Sequence, residues 1–140
     1  MFSQCIRRVM EREKMLTAGP QTTVGEAAKL MADSGGSAVV VIENEALVGI
    51  FTERDAVFRV IAQERDPRTT RLDEVMTPAP MTVGPDRSFG YALQLMHEHG
   101  FRHVPVVEDG KPVGIVSSRD ALDPDMEDFV AEARRREGIR

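Results

Sequence analysis

Tryptophan is absent from this 140-residue chain, and cysteine and tyrosine occur once each. A single cysteine, Cys5, can form no internal disulfide, so nothing requires an oxidising compartment. With six Phe and one Tyr as its only aromatic residues, the core must be built mostly from Val, Ile, Leu, Met and Ala. No apolar run approaches the roughly 20 residues that cross a bilayer. The opening "MFSQCIRRVMEREKM" also lacks the uninterrupted apolar stretch of a signal peptide, and the cytoplasm is the expected location. Basic charge is in short supply too. Eighteen Lys and Arg against 23 Asp and Glu leave a formal charge of −5. That balance argues against the broad basic face that sequence-independent nucleic-acid binding needs. Neither nucleic acid nor a membrane is an expected partner.

What the chain has is a repeat. "GIFTERDA" (49–56) returns as "GIVSSRDA" (114–121), an offset of 65 (114 − 49), and the register runs without a gap from residue 16 to residue 56. In that register "LTAGP" (16–20) meets "MTVGP" (81–85), while Val24, Ala27, Ala28 and Met31 meet Phe89, Ala92, Leu93 and Met96. Both sets fall at i, i+3, i+4, i+7, the spacing of one helical face. Each helix runs into a glycine, Gly35 or Gly100, suited to a left-handed cap. A short apolar run follows ("SAVVVI" or "HVPVV"), then a turn at Asn44-Glu45 or Asp109-Gly110, then a second strand ("LVGIF" or "PVGIV"). Asp-Gly between apolar runs is a strong hairpin signal, and a further helix is expected from Thr52 and from Ser117. The fold class is therefore α+β, each unit reading strand, helix, strand, strand, helix. A unit of about 50 residues is too small to be comfortable alone, so the two are expected to bury each other's faces.

The expected layout is an N-terminal helix over 1–14, repeats over 15–62 and 76–123, a linker over 63–75, and a C-terminal helix over 124–140. Ile6, Val9 and Met10 share one side of the first helix. Charge, Pro and Thr mark the linker. Asp123 as N-cap, Pro124 behind it and late arginines mark the last helix, whose apolar face is Met126, Phe129, Val130 and Ala133.

Two readings of the repeated heptad stand side by side. Thr52-x-x-Asp55 and Ser117-x-x-Asp120 have capping-box spacing, in which hydroxyl and acid satisfy orphan backbone amides, and Gly49 and Gly114 would let helices pack close. The same residues also suit a nucleotide. An acid at a helix start repels phosphate but can accept from the paired hydroxyls of a ribose. Arg54 and Arg119 beside Asp55 and Asp120 could then meet a phosphate bidentately. Ile50 and Ile115, with Val39 and Val104, offer branched apolar surfaces for a base.

On these residues the chain resembles a tandem pair of CBS (cystathionine-β-synthase) domains of the stand-alone bacterial type. The likeness is carried by "GIFTERD" and "GIVSSRD", by "FRHVPVVEDG" in the second unit and by "DEVMTP" at its opening, and it spans roughly residues 8–123. It implies two β-α-β-β-α repeats packed by their sheets as a pseudo-two-fold pair, with extra N- and C-terminal helices. It further implies a non-catalytic regulatory module that senses energy state by binding an adenine nucleotide: AMP first, with ADP, ATP, NAD or S-adenosylmethionine as alternatives. Ribose recognition carries over to Asp55 and Asp120, and a ribose or phosphate contact to Thr52 and Ser117. The adenine lining carries over to Ser37, Ala38 and Val39 and to Arg102, His103, Val104 and Pro105. Closure of the pocket carries over to Leu16, Thr17, Met76, Thr77, Met81 and Thr82. A homodimer and an unidentified downstream protein are implied partners. Because the second unit has Arg102 and His103 where the first has Ser37 and Ala38, the second cleft is expected to hold phosphate more firmly.

Other candidates are weaker. His97 and His99 are two apart on a helix and His103 lies beyond a glycine, so no metal-ligand set forms. The arginines of "ARRREGIR" suit a helix C-terminus. Ser118, Asp120 and His103 are the best catalytic set available, with no ordered triad or P-loop to support them. A ligand-free dimerisation adaptor and a nucleotide-processing enzyme remain the alternatives.

Overall fold

Each apolar stripe becomes a helix because it is capped at both ends. A computed structural model of the chain describes residues 2–121 and 132–136. Its elements, in order, begin with α1 (Ile6–Val9) and a 3-10 turn at Met10–Arg12, then β1 (Thr17–Ala18), α2 (Val24–Ser34), β2 (Ala38–Glu43) and β3 (Ala46–Thr52). There follow α3 (Glu53–Asp55), continuing as a π-helix over Ala56–Ile61, α4 (Leu72–Val75) and β4 (Thr77–Pro78). The second half has α5 (Phe89–His99), β5 (His103–Glu108), β6 (Lys111–Ser117) and a 3-10 turn at Ser118–Ala121. Residues 132–136 are helical; the remainder of the expected C-terminal helix, from Asp123 through Val130 and beyond Arg136, lies outside the described residues. Thr23 Oγ1 accepts from Glu26 N at 3.2 Å and Ser88 Oγ from Tyr91 N at 3.3 Å, fixing the starts of α2 and α5. Gly35 (φ 72°) and Gly100 (φ 74°) end them in the left-handed region, where a side chain would be strained.

The β2–β3 and β5–β6 hairpins turn where the sequence places them. Asn44 and Glu45 (φ 52° and 67°) and Asp109 and Gly110 (φ 51° and 79°) are all left-handed, as a two-residue turn between twisted strands requires. The first sheet has the order β1-β2-β3-β4, with β1 parallel to β2 and β4 antiparallel to β3. In the second half a lone parallel bridge, Val83 to Val106, stands where β1 would be.

Alternation along the strands divides the apolar residues between two faces. Val39, Val41 and Phe51 pack beneath α2 with Val24, Ala27 and Met31. Val104, Val106 and Val116 do the same with Phe89, Ala92 and Met96 of α5. Ala28, expected on the first stripe, is exposed. The opposite faces meet each other: Ala38, Val40 and Ile50 form a cluster with Ile115 between the two hairpins.

The segments ahead of each repeat are exchanged. Residues 63–75, expected to be a linker, include α4, whose Leu72 and Val75 sit in the first core. The expected N-terminal helix, shortened to α1 and the 3-10 turn, is built into the second core through Ile6 and Val9. Backbone bonds repeat the exchange: Leu72 N donates to Thr22 O (2.8 Å) and Asp73 N to Pro20 O (3.1 Å), matching Ile6 N to Arg87 O (2.9 Å) and Arg7 N to Pro85 O (2.8 Å). The acceptors are 65 apart (87 − 22) but the donors 66 (72 − 6). Each half therefore receives the segment that precedes the other.

Gly49 and Gly114 are what admit those segments. The Met76 thioether lies against Gly49 so closely that no Cβ would fit, and a Cβ on Gly114 would stand 2.7 Å from Met10 Sδ and 3.1 Å from Met10 Cβ. At a strand position compatible with alanine, Gly→Ala ordinarily stabilises by about 0.4–1 kcal/mol. Here Gly114→Ala should destabilise by about 1–3 kcal/mol through overpacking, and Gly114→Ala combined with Met10→Ala should recover part of that loss. Urea unfolding of the four members of the cycle reads the coupling.

Candidate functional site

β3 and β6 both end at a hydroxyl followed by a short helical turn, and both turns are capped by the acid three residues on. Asp55 Oδ2 accepts from Thr52 N at 2.9 Å and Thr52 Oγ1 at 3.2 Å, while Thr52 Oγ1 faces Asp55 N at 3.4 Å. Asp120 Oδ2 accepts from Ser117 N at 2.8 Å. Both acids are buried, 7% and 3% exposed. The first copy forms the full capping box, and the second shows its acid half, Ser117 N donating to Asp120; the surroundings differ as well.

Asp55 is drawn into the scaffold. Its Oδ1 lies 3.5 Å from Arg59 Nε, and Arg59 Nη1 donates to Val75 O (3.3 Å) and Met76 O (3.0 Å), the last carbonyls of the exchanged helix. The residue 65 places after Arg59 is Pro124, so the second copy has no such arginine. Asp120 instead lines a cleft of about 210 Å³. Ser117 and Arg119 share its wall, Arg12, Glu13 and Lys14 approach from the N-terminal segment, and Leu16 and 34–36 close it from the first half. Bare backbone forms part of that last wall, since a Cβ on Gly36 would stand 2.7 Å from Leu16 Cδ1.

Of the residues singled out from the sequence, Leu16, Ser117, Arg119 and Asp120 come together here. The expected apolar wall does not form as drawn. Val39 and Val104, each 0% exposed, face the helices, whereas Ala38, Ile50 and Ile115 face the other hairpin. Pro105 is opposite Ile115 in the ladder and shares its face. Arg54 is exposed and lies over the Phe58 ring, 4.7 Å from its centroid. Thr17 pairs with Val40 and Thr77 with Ile50; Met76 packs on Gly49; Met81 and Thr82 are exposed, and none of these five lines the cleft. Arg102 and His103, expected to strengthen this cleft, do not line it either. The cations Arg12 and Lys14 do, supplied from the distant segment that the sequence reading left out of the site.

His103 has a different engagement. Its Nε2 is 2.7 Å from Ser37 Oγ, a bond between the two halves. Burial, then the charges of Arg102 and Arg119, push its pKa down to about 4, so the ring is neutral near pH 7. Among the described residues no three His, Cys, Asp or Glu gather as a metal would need, and no helix is long and apolar enough to cross a membrane.

Known proteins resemble this chain in sequence and in fold. A family model for the CBS domain matches residues 6–62 and 72–126. An uncharacterized protein of Methanopyrus kandleri is 37% identical over 113 residues, covering 79% of this chain and 58% of that protein, so the chain spans a little over half the length of this relative. A solved structure of a protein with CBS domains from Burkholderia ambifaria superposes with a TM-score of 0.81 at 32% identity, covering 89% of this chain and 96% of that one. A CBS domain protein from Pyrobaculum aerophilum, complexed with AMP, superposes with a TM-score of 0.76 at 25% identity over 84% of this chain and 89% of that one.

A histidine held neutral at a folded pKa of about 4 against an ordinary 6.5 is protonated first in the unfolded chain. Stability is therefore level above about pH 6.5 and falls as pH drops from there towards 4, by about 2 kcal/mol at pH 5. His103→Gln, which keeps a partner for Ser37, should remove most of the difference between unfolding curves at pH 7 and pH 5.

Proposed function

The chain belongs to the CBS domain family as a tandem pair of the regulatory, signalling type, and from that premise we propose that it binds an adenosine nucleotide at Asp120 and catalyses nothing. The observation that carries this reading is the position of Asp120: a buried acid at a helical turn, opening on a cleft beside Ser117 and Arg119. A carboxylate in that position, already accepting from Ser117 N, is of the type that accepts from the paired hydroxyls of a ribose. Arg119 offers charge to a phosphate, and the AMP held by the Pyrobaculum relative makes AMP the first ligand to try.

The size of the cleft bears on mechanism. At about 210 Å³ it falls below the roughly 300 Å³ at which small-molecule pockets begin. The apolar surface around Ile115 is closed between the hairpins at 2% exposure. On this reading a whole nucleoside is accommodated as the halves shift, and ligand binding biases the protein towards the shifted arrangement. Asp55 keeps its scaffold role with Arg59 on this reading.

AMP at 100 times its dissociation constant should stabilise the fold by about 2.7 kcal/mol, roughly 10 °C in melting temperature. Asp120→Asn, which retains an acceptor for Ser117 N, should abolish that shift with little change in the ligand-free melt. Asp55→Asn should lower the ligand-free melt and preserve the shift. Flat curves with AMP, ADP, ATP, NAD and S-adenosylmethionine alike would leave a structural adaptor instead, and consumption of the nucleotide would make the protein an enzyme.

A further inference from the structure

Three cations face the Asp120 cleft, and two of them come from the far end of the chain. Arg119 follows β6, whereas Arg12 and Lys14 stand where the exchanged N-terminal segment leaves the second core. Among the described residues the acids on the same cleft are Glu13 and Asp120, so that part of the lining carries more positive than negative charge in a chain whose formal charge is −5. Arg12 is held there by its own segment. Ile6 and Val9 are buried in the second core, and Met10 rests on Gly114. At the end of that anchored stretch Arg12 Nη1 donates to Asp120 O at 3.4 Å, a long bond from a side chain with five N–H donors. A diol on Asp120 gives these cations nothing to meet, but a phosphate joined to that sugar does.

We propose that Arg12, with Lys14 beside it, selects the charge of the ligand: it holds the phosphate, and through it the exchanged N-terminal segment distinguishes a nucleotide from a nucleoside. The inference rests on the reading of Asp120 as the ribose acid. It assigns the phosphate contact to residues that lie outside the repeated heptad and ahead of the first repeat. It also gives the exchange a consequence for binding. The anion is gripped by a segment packed on the second core, while the opposite wall belongs to the first half.

Calorimetric titrations of AMP and of adenosine into the full chain test this, with wild type, Arg12→Gln, Arg12→Lys, Lys14→Gln and Asp120→Asn. Wild type should bind AMP more tightly than adenosine. Arg12→Gln should weaken AMP by about tenfold, the loss of one charge-assisted contact, and leave adenosine unchanged, while Arg12→Lys should recover most of the preference. Equal weakening of both ligands in Arg12→Gln would make Arg12 a structural residue and overturn the proposal, as would an unchanged affinity for AMP. If adenosine binds wild type and not Asp120→Asn while Arg12→Gln is silent, the charge-selecting role falls and the nucleotide site stands. Failure of wild type to bind either ligand removes both.

Discussion

A methionine laid on a strand that has no side chain is the contact from which the rest of this molecule follows. Met76 occupies the space over Gly49 and Met10 the space over Gly114, and each arrives from the segment that precedes the other half. A half of about 50 residues buries too little surface to hold itself. By lending its leading segment to its neighbour, each half completes a core it does not own, Leu72 and Val75 in one and Ile6 and Val9 in the other. The heptad is repeated because each end of it serves this construction. Its glycine receives the crossing methionine, and its acid caps the turn that follows.

Once the scaffold is secured twice, its two copies need not do the same work. Asp55 is joined by Arg59 to the carbonyls of Val75 and Met76, so the first acid helps to fasten the exchanged helix. At the corresponding place after Asp120 the sequence has Pro124, and a proline side chain offers no cation. The second acid keeps its cap from Ser117 N while lining a cleft. Two acids at equivalent positions thus have different neighbours, and a motif read without its neighbours treats the two as equivalent.

What was legible in the sequence was local. Capped helices, glycine stops and Asp-Gly or Asn-Glu turns act over a few residues, and the structure has each where the pattern puts it. The faces of the strands were legible in principle as well. Val39 stands opposite Phe51 and Val40 opposite Ile50, so the period of two separates Val39 from Ile50, and grouping them as one wall ignored that alternation. The exchange was harder to see. Its signal is Val9-Met10 against Val75-Met76, offset by 66 rather than 65. Around the second pair the charges of "TRLDEV" look like solvated linker while Leu72 and Val75 are buried. Part of the cleft was beyond reach for the same reason. Leu16 was expected at the pocket from the family resemblance, but nothing near Asp120 in the chain announces Arg12 or Lys14, which the crossed path brings there.

That path also decides what an occupant of the cleft is able to do. Among the described residues the cleft is lined by Arg12, Glu13, Lys14 and Leu16, by 34–36, and by Ser117, Arg119 and Asp120, stretches distant in sequence. Between the halves themselves lie a modest apolar cluster of Ala38, Val40, Ile50 and Ile115 and the Ser37–His103 hydrogen bond. The two helix-backed cores, being close-packed, resist deformation, so a change of arrangement falls on the contacts between the halves. A molecule that touches the second half at Asp120 and the first half at its bare Gly36 backbone gains contact free energy in some arrangements and loses it in others. That difference, and not the tightness of binding as such, is the only means by which it shifts the population. On the proposed reading, a ligand acts through the seam between the halves, while the exchanged segments stay built into the two cores.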